Sequence, residues 1–200
     1  MNDYYGFTEE VSKKYGNELY KYFLSVFYTL PLAHIINHSI FIVHGGLCRN
    51  VNLTLTDLQN LDRFGDPVPP GIINDLLWSD PMDENGIASS DRAVLNDAIT
   101  ISFGPDVTEK FLKENKLKLL IRSHEMQMAG FSITQGGKCM TVFSAPNYMG
   151  KEGNKGAIVK FYFDDDGAID KNKVIQFDSV QPWETVNDAE NDNKSKDEKE

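Results

Sequence analysis

The stretch SIFIVHGGLCRN at residues 39–50 decides how the chain can be interpreted, because an apolar run ends there in a histidine and two glycines. Residues 40–43 are all β-branched or aromatic, and so short a run predicts a buried strand more than a helix. His44 would then stand at the end of that strand. Gly45 and Gly46 lack a Cβ atom, so they let backbone or a ligand approach the imidazole and permit positive φ in the loop. A binding site and an ordinary strand exit with a hydrogen-bonded histidine both fit this pattern.

A second histidine follows a second apolar run. In LKLLIRSHE, residues 117–125, three apolar residues lead through Arg122 and Ser123 to His124. Rigid strands can hold ligands while the loops after them leave the site open to substrate, so two imidazoles at the same ends of neighbouring strands suit a metal or phosphate site. We therefore expect His44 and His124 to meet in the fold.

The composition indicates one soluble globular domain. The chain has 200 residues, of which 40% are hydrophobic, and its net charge of −10 comes without a basic stripe, which argues against nucleic acid as a partner. No apolar run is long enough to span a membrane, so we expect no membrane partner. Cys48 and Cys139 form no CxxC pair and no secretion signal precedes them, which predicts free thiols in a reducing compartment. We expect a cytoplasmic or nuclear protein.

The rest of the chain shows helical and strand patterns in turn. Apolar residues at helical spacing predict two consecutive amphipathic helices before Pro31, and Pro105 with an acidic first turn predicts another helix ahead of the second histidine. Thr56 and Gln59 have the spacing of a capping box, which predicts a short helix there. Apolar runs separated by glycine-containing turns predict strands between residues 130 and 177.

Five motifs together resemble the phosphoprotein phosphatase family of protein serine/threonine phosphatases. They run in order over roughly residues 4–180, and they are FIVHGGL, DLLWSDP, FGPDVTEKFL, LLIRSHEMQMAGF and VFSAPNY. The resemblance implies an α/β fold, namely part of a calcineurin-like metallophosphoesterase β-sandwich flanked by helices. Residues 1–183 would be the C-terminal part of the catalytic domain. Residues 184–200 hold seven acidic and three basic residues with no aromatic one, which predicts a disordered acidic tail.

The same resemblance implies roles for four side chains in hydrolysis of phosphoserine and phosphothreonine on proteins. His44 and His124 would be ligands of one ion in a centre of two divalent metal ions, manganese or iron with zinc, that activates a bridging water for in-line attack on phosphorus. Arg92 would grip the phosphate, because its planar fork can donate two hydrogen bonds to adjacent oxygens. Tyr148 would line the substrate cleft. Taken alone, Arg92 could equally be a solvated surface arginine, and Tyr148 a packing residue.

Three motifs that complete the metal centre in this family are absent from the chain: Gly-Asp-x-His-Gly, Gly-Asp-x-Val-Asp-Arg-Gly and Gly-Asn-His-Glu. The chain would therefore supply two ligands of one ion, and hydrolysis would belong to the full domain of which it is a portion. The alternative is a noncatalytic remnant or binding fragment that keeps the substrate-cleft surface and binds phosphoproteins or phosphatase regulatory subunits. In either case we expect an incomplete core, with exposed apolar surface and exposed sheet edges.

Overall fold

The computed structural model describes residues 2–90, 92 and 100–180, so the predicted tail at 184–200 lies outside the described residues. The helices are α1 Phe7–Tyr15, α2 Asn17–Thr29, α3 Leu55–Gln59, α4 Ile72–Trp78 and α5 Pro105–Glu114. The strands are β1 Ala33–Ile36, β2 Ile40–Val43, β3 Asp80–Pro81, β4 Ile87–Ser89, β5 Ile101–Phe103, β6 Leu119–Arg122, β7 Phe131–Thr134, β8 Cys139–Val142, β9 Gly156–Phe163 and β10 Ile169–Phe177. Within the described ranges, no helix is both long and apolar enough to span a membrane.

A five-stranded mixed sheet in the order β1-β2-β6-β8-β7 forms the centre of the molecule. The three inner strands, β2, β6 and β8, run parallel, and β1 and β7 flank them antiparallel. A smaller sheet, β3-β5-β4, lies next in the chain to α4 and α5. Because the parallel strands share one direction, the loops that follow β2 and β6 emerge at the same edge of the sheet.

Other elements pack against both faces of the sheet, as the predicted α/β sandwich requires. Helices α3 to α5 cover one face around a cluster that includes Phe41, Val43, Leu76, Phe103, Phe111 and Leu120. The β9–β10 hairpin covers part of the other face, and the side chains packed there are Ile40, Leu119, Ile121, Met140, Val159, Phe161, Phe163 and Ile169. The fold prediction is therefore confirmed.

The two N-terminal helices are present where the apolar spacing predicts them, but α2 has no buried residue. Val26, for example, stays 55% exposed. Exposed apolar surface, expected from the missing motifs, is thus found on this helix.

The short helix α3 is also present, but its predicted cap is wrong. Thr54 and Asp57 form the capping box, two residues before the predicted pair of Thr56 and Gln59.

Candidate metal and phosphate site

The structure brings the two predicted histidines together. Strands β2 and β6 are parallel neighbours in the register Ile42 to Ile121, so His44 and His124 follow at the same sheet edge. Nδ1 of His124 lies 3.2 Å from Nε2 of His44, and the ring centroids are 5.0 Å apart. The Ser123 amide donates to the His44 carbonyl at 3.0 Å, which ties the two loops together beside the rings.

His124 is held in an unusual backbone conformation. Its φ of 59° lies in the left-handed region, which a residue with a Cβ seldom adopts unless the surrounding structure enforces it. Its Nε2 is buried and has no hydrogen-bond partner among the described residues. The ring of Trp78 packs edge-on against the imidazole, with centroids 5.2 Å apart. These constraints orient the ring so that Nδ1 faces His44.

The surroundings of both imidazoles favour the neutral ring. Burial, with the charge of Arg92 next in importance, lowers the pKa of His124 to about 4. Burial and then the charge of Arg122 lower the pKa of His44. A neutral imidazole is the form that binds a metal ion, because one ring nitrogen then keeps its lone pair.

The separation of the two facing nitrogens suits a shared cation. Two nitrogens that each lie 2.0–2.1 Å from one ion are about 2.8–3.4 Å apart at bond angles between 90° and tetrahedral, and the observed separation of 3.2 Å falls in that interval. The coordination is incomplete, however. Nowhere in the described ranges do three or more His, Cys, Asp or Glu residues form a group that could hold a metal ion. His44 and His124 could therefore fill two coordination positions of one ion, and the described residues do not offer the other ligands.

Arg122, which the sequence did not single out, organises the loops around the histidines. Its side chain is fully buried and pairs with the carboxylates of Asp80, at 2.6 Å, and Glu125, at 2.7 Å. It also donates to the carbonyls of Gly45, at 2.5 Å, and Ser79, at 3.1 Å. One guanidinium therefore joins the loop after β2, the loop after β6 and the start of β3.

Arg92 shares its carboxylate partner with Arg122. Its Nε donates to Oδ2 of Asp80, while Arg122 holds Oδ1 of the same group. The Arg92 side chain remains 34% exposed, and its charge acts on the pKa of His124. The structure thus places this predicted phosphate-binding residue on Asp80, the carboxylate that it shares with Arg122, whereas its neighbours Asp91 and Ala93 lie outside the described residues.

Tyr148, predicted to line the cleft, is anchored in its own loop. Its ring packs edge-on against Phe143, with centroids 5.1 Å apart, and its amide donates to the side chain of Asn154 at 2.7 Å. The residue is 44% exposed. None of these contacts involves His44 or His124, so a substrate contact stays a prediction.

The reason proposed for the two glycines after His44 is wrong in part. Several glycines among the described residues have a positive φ, but Gly45 and Gly46 do not. A Cβ on Gly45 would lie 2.5 Å from backbone atoms of Leu77 and Trp78, and one on Gly46 would collide with the ring of Phe103. The glycines therefore serve close packing of α4 and β5 against the loop, not approach of a ligand.

A sequence signal for Arg122 existed. An arginine that directly follows three apolar residues of a central strand must be buried, and a buried guanidinium requires acidic partners. Glu125 is three residues from Arg122 in the chain, so this partner could be found from the sequence. Asp80 is 42 residues away, so its pairing with Arg122 could be found only from the tertiary structure.

The chain is similar to proteins of known family. A family model described as calcineurin-like phosphoesterase matches residues 2–128. Serine/threonine-protein phosphatase T of Trypanosoma brucei brucei is 52% identical over 161 residues, which cover 80% of this chain and 33% of that protein. Human serine/threonine-protein phosphatase 5 is 46% identical over 159 residues, covering 80% of this chain and 31% of that protein. The chain therefore spans about a third of the length of these curated relatives.

A solved structure also superposes on the chain. It is a protein serine/threonine phosphatase from Saccharomyces cerevisiae with similarity to human phosphatase PP5. The TM-score is 0.81 at 38% sequence identity, and the match covers 92% of this chain and 58% of that chain.

Proposed function

Because the chain belongs to the calcineurin-like phosphoesterase family, we propose that the full domain of which it is a portion hydrolyses phosphoserine and phosphothreonine on proteins. The observation that carries this proposal is the facing pair of histidine nitrogens, 3.2 Å apart, and it is supported by Arg92, whose charge adds to burial in lowering the pKa of His124. The names of the relatives, all serine/threonine phosphatases, support the same substrate class. Phosphoproteins would be the substrates, and phosphatase regulatory subunits are further proposed partners in the cytoplasm or nucleus.

Each side chain has a definite part in this proposal. Nε2 of His44 and Nδ1 of His124 would hold one ion of a two-ion centre, and we propose manganese, or iron with zinc, as the ions. When bound, such ions stabilise charge on phosphoryl oxygens and lower the pKa of a water molecule that attacks phosphorus. Arg92 would donate its terminal nitrogens to the phosphate while Asp80 fixes its Nε. Tyr148 would contact the substrate from the loop after β8.

A noncatalytic binding fragment is the second candidate. It is favoured by the lack of a group of three or more metal-binding side chains within the described residues, since a bare pair of imidazoles cannot offset the charge of two divalent ions. In that case the surface around Arg92 would bind a phosphorylated peptide without turning it over.

A chimaera separates the two candidates. In it, this chain replaces the aligned 161 residues of the Trypanosoma brucei brucei relative, and phosphate release from a phosphothreonine peptide is measured with added manganese. Turnover that His44→Ala and His124→Ala each abolish, and that His38→Ala leaves unchanged, supports the hydrolase. A chimaera that folds and binds the peptide but releases no phosphate supports the binding fragment.

A further inference from the structure

An ion pair that the proposed function leaves unused joins the loop after His44 to helix α4. Asp75 is fully buried on α4, and its carboxylate accepts from Nε of Arg49 at 2.8 Å and from Nη2 at 2.7 Å. The Arg49 amide donates to the same carboxylate at 3.0 Å. A bidentate pair of arginine and carboxylate adds geometric specificity as well as energy, so these bonds fix the loop against one position of the helix.

The last turn of α4 contacts the loops of both histidines. The Leu76 carbonyl accepts a hydrogen bond at 2.8 Å from the amide of Gly45, the residue directly after His44. The Trp78 ring packs edge-on against the His124 ring, with centroids 5.2 Å apart. One short helix therefore acts on both imidazoles, through the backbone beside the first and through a ring beside the second.

The contact between this loop and α4 leaves no room for adjustment. A Cβ on Gly45 would lie 2.5 Å from backbone atoms of Leu77 and Trp78. A helix of seven residues has little stability of its own, so contacts with its surroundings set its position. Because backbone meets backbone at Gly45, a shift of α4 would move the loop that carries His44 as well as the ring that packs on His124.

We propose that Arg49 and Asp75 are positioning residues for the histidine pair. Their ion pair would hold α4 in place, and α4 would set the separation and orientation of the two imidazoles. The inference rests on the proposed function, since the pair that it orients is the candidate metal site. Replacing groups that orient metal ligands from behind costs roughly 10- to 100-fold in metal affinity. The alternative is an ion pair that only stabilises the fold.

Two readouts on the purified 200-residue chain test the proposal. The first, without metal, is the nuclear Overhauser effect between the rings of His44 and His124 and between those of Trp78 and His124. The second is the Zn²⁺ affinity, measured by calorimetry. Arg49→Met should weaken both Overhauser effects and lower the affinity by about tenfold or more. Arg49→Lys, which keeps the charge but not the planar fork, should retain part of that affinity.

A control and a second variant separate positioning from stability. Thr108→Val removes another buried hydrogen bond, from Oγ1 to the Gln135 side chain at 2.6 Å, and should leave both readouts unchanged. Arg49→Met leaves a buried carboxylate unpaired, which destabilises the chain. If that variant does not fold, the double variant with Asp75→Asn, which removes the buried charge, decides the question. It should also lose the Overhauser effects and about tenfold in Zn²⁺ affinity.

Three results would overturn the proposal. The first is a folded double variant that keeps the Overhauser effects or its full Zn²⁺ affinity. The second is an equal loss in Thr108→Val, which makes the ion pair a contact that only stabilises the fold. The third is a wild-type chain without the Overhauser effects between these rings. Failure of the wild-type chain to bind Zn²⁺ instead contradicts the shared ion of the proposed function, and the metal-free Overhauser effects then still decide whether Arg49 and Asp75 position the rings.

Discussion

Replacing Arg122 by methionine should destabilise the fold severely, because this one side chain neutralises two carboxylates. Methionine keeps much of the volume but removes the charge. Among the described residues, Asp80 then keeps Arg92 as its cationic partner, Glu125 loses its pairing with Arg122, and the carbonyls of Gly45 and Ser79 lose the Arg122 donor. Breaking a buried ion pair costs about 3–5 kcal/mol. Since Arg92 still holds Asp80, we expect the lower part of that range, about 3 kcal/mol in the free energy of unfolding.

Urea unfolding followed by circular dichroism measures this loss, and Arg92→Met is the matched control. Both arginines pair with Asp80, but the Arg92 side chain is 34% exposed whereas that of Arg122 is fully buried. Because the Arg92 end of its pair is partly exposed and Arg122 still holds Asp80 when Arg92 is removed, we expect Arg92→Met to cost about 1 kcal/mol or less. A loss below about 1 kcal/mol for Arg122→Met, or equal losses for the two variants, would refute the reasoning that burial sets the strength of this network.

Three further substitutions or conditions test other parts of the structure. Gly45→Ala should lower the free energy of unfolding by about 1–3 kcal/mol because its Cβ meets backbone, whereas Gly65→Ala, with open space around it, should be nearly neutral in the same urea assay. Thr54→Ala should cost about 1 kcal/mol through loss of the cap, and an equal cost for Thr56→Ala would contradict the assigned capping box. Burial raises the pKa of the Cys139 thiol from 9.0 to about 11. The unfolded chain therefore releases this proton first, so stability should fall between pH 9 and 11 by up to about 2–3 kcal/mol, and Cys139→Ala should lose that part of the pH dependence.

Much of the fold could be predicted because its signals are local. The run before His44 and the run before His124 are short and apolar, and the structure makes them parallel neighbours. Parallel neighbouring strands end at the same edge of a sheet. The convergence of the two imidazoles that follow such strands could therefore be predicted from the sequence. Pro105 at the first turn of α5 is a similarly local signal.

What the sequence could not supply depends on groups far apart in the chain. Close approach of backbone to Gly45 is predictable, but the sequence does not show that this backbone belongs to α4, whose Leu77 and Trp78 lie more than thirty residues further on. Asp80 joins two arginines that no spacing rule connects. The misplaced cap has a different cause. Thr54 and Thr56 each have a polar residue three positions further on, but the helix begins at Leu55, so Thr54, whose backbone is extended, is the N-cap and Thr56 lies inside the helix.

The central claim is that His44 and His124 share one divalent cation. Isothermal titration calorimetry with Zn²⁺ on the purified chain tests it, with His34→Ala and His38→Ala as controls on exposed histidines. We expect one equivalent of Zn²⁺. Loss of affinity should be about tenfold or more in His44→Ala and in His124→Ala, with little further loss in the double variant, because either substitution already breaks the chelate. Losses that add in the double variant, or affinity that follows His34 and His38 instead, would contradict a shared ion.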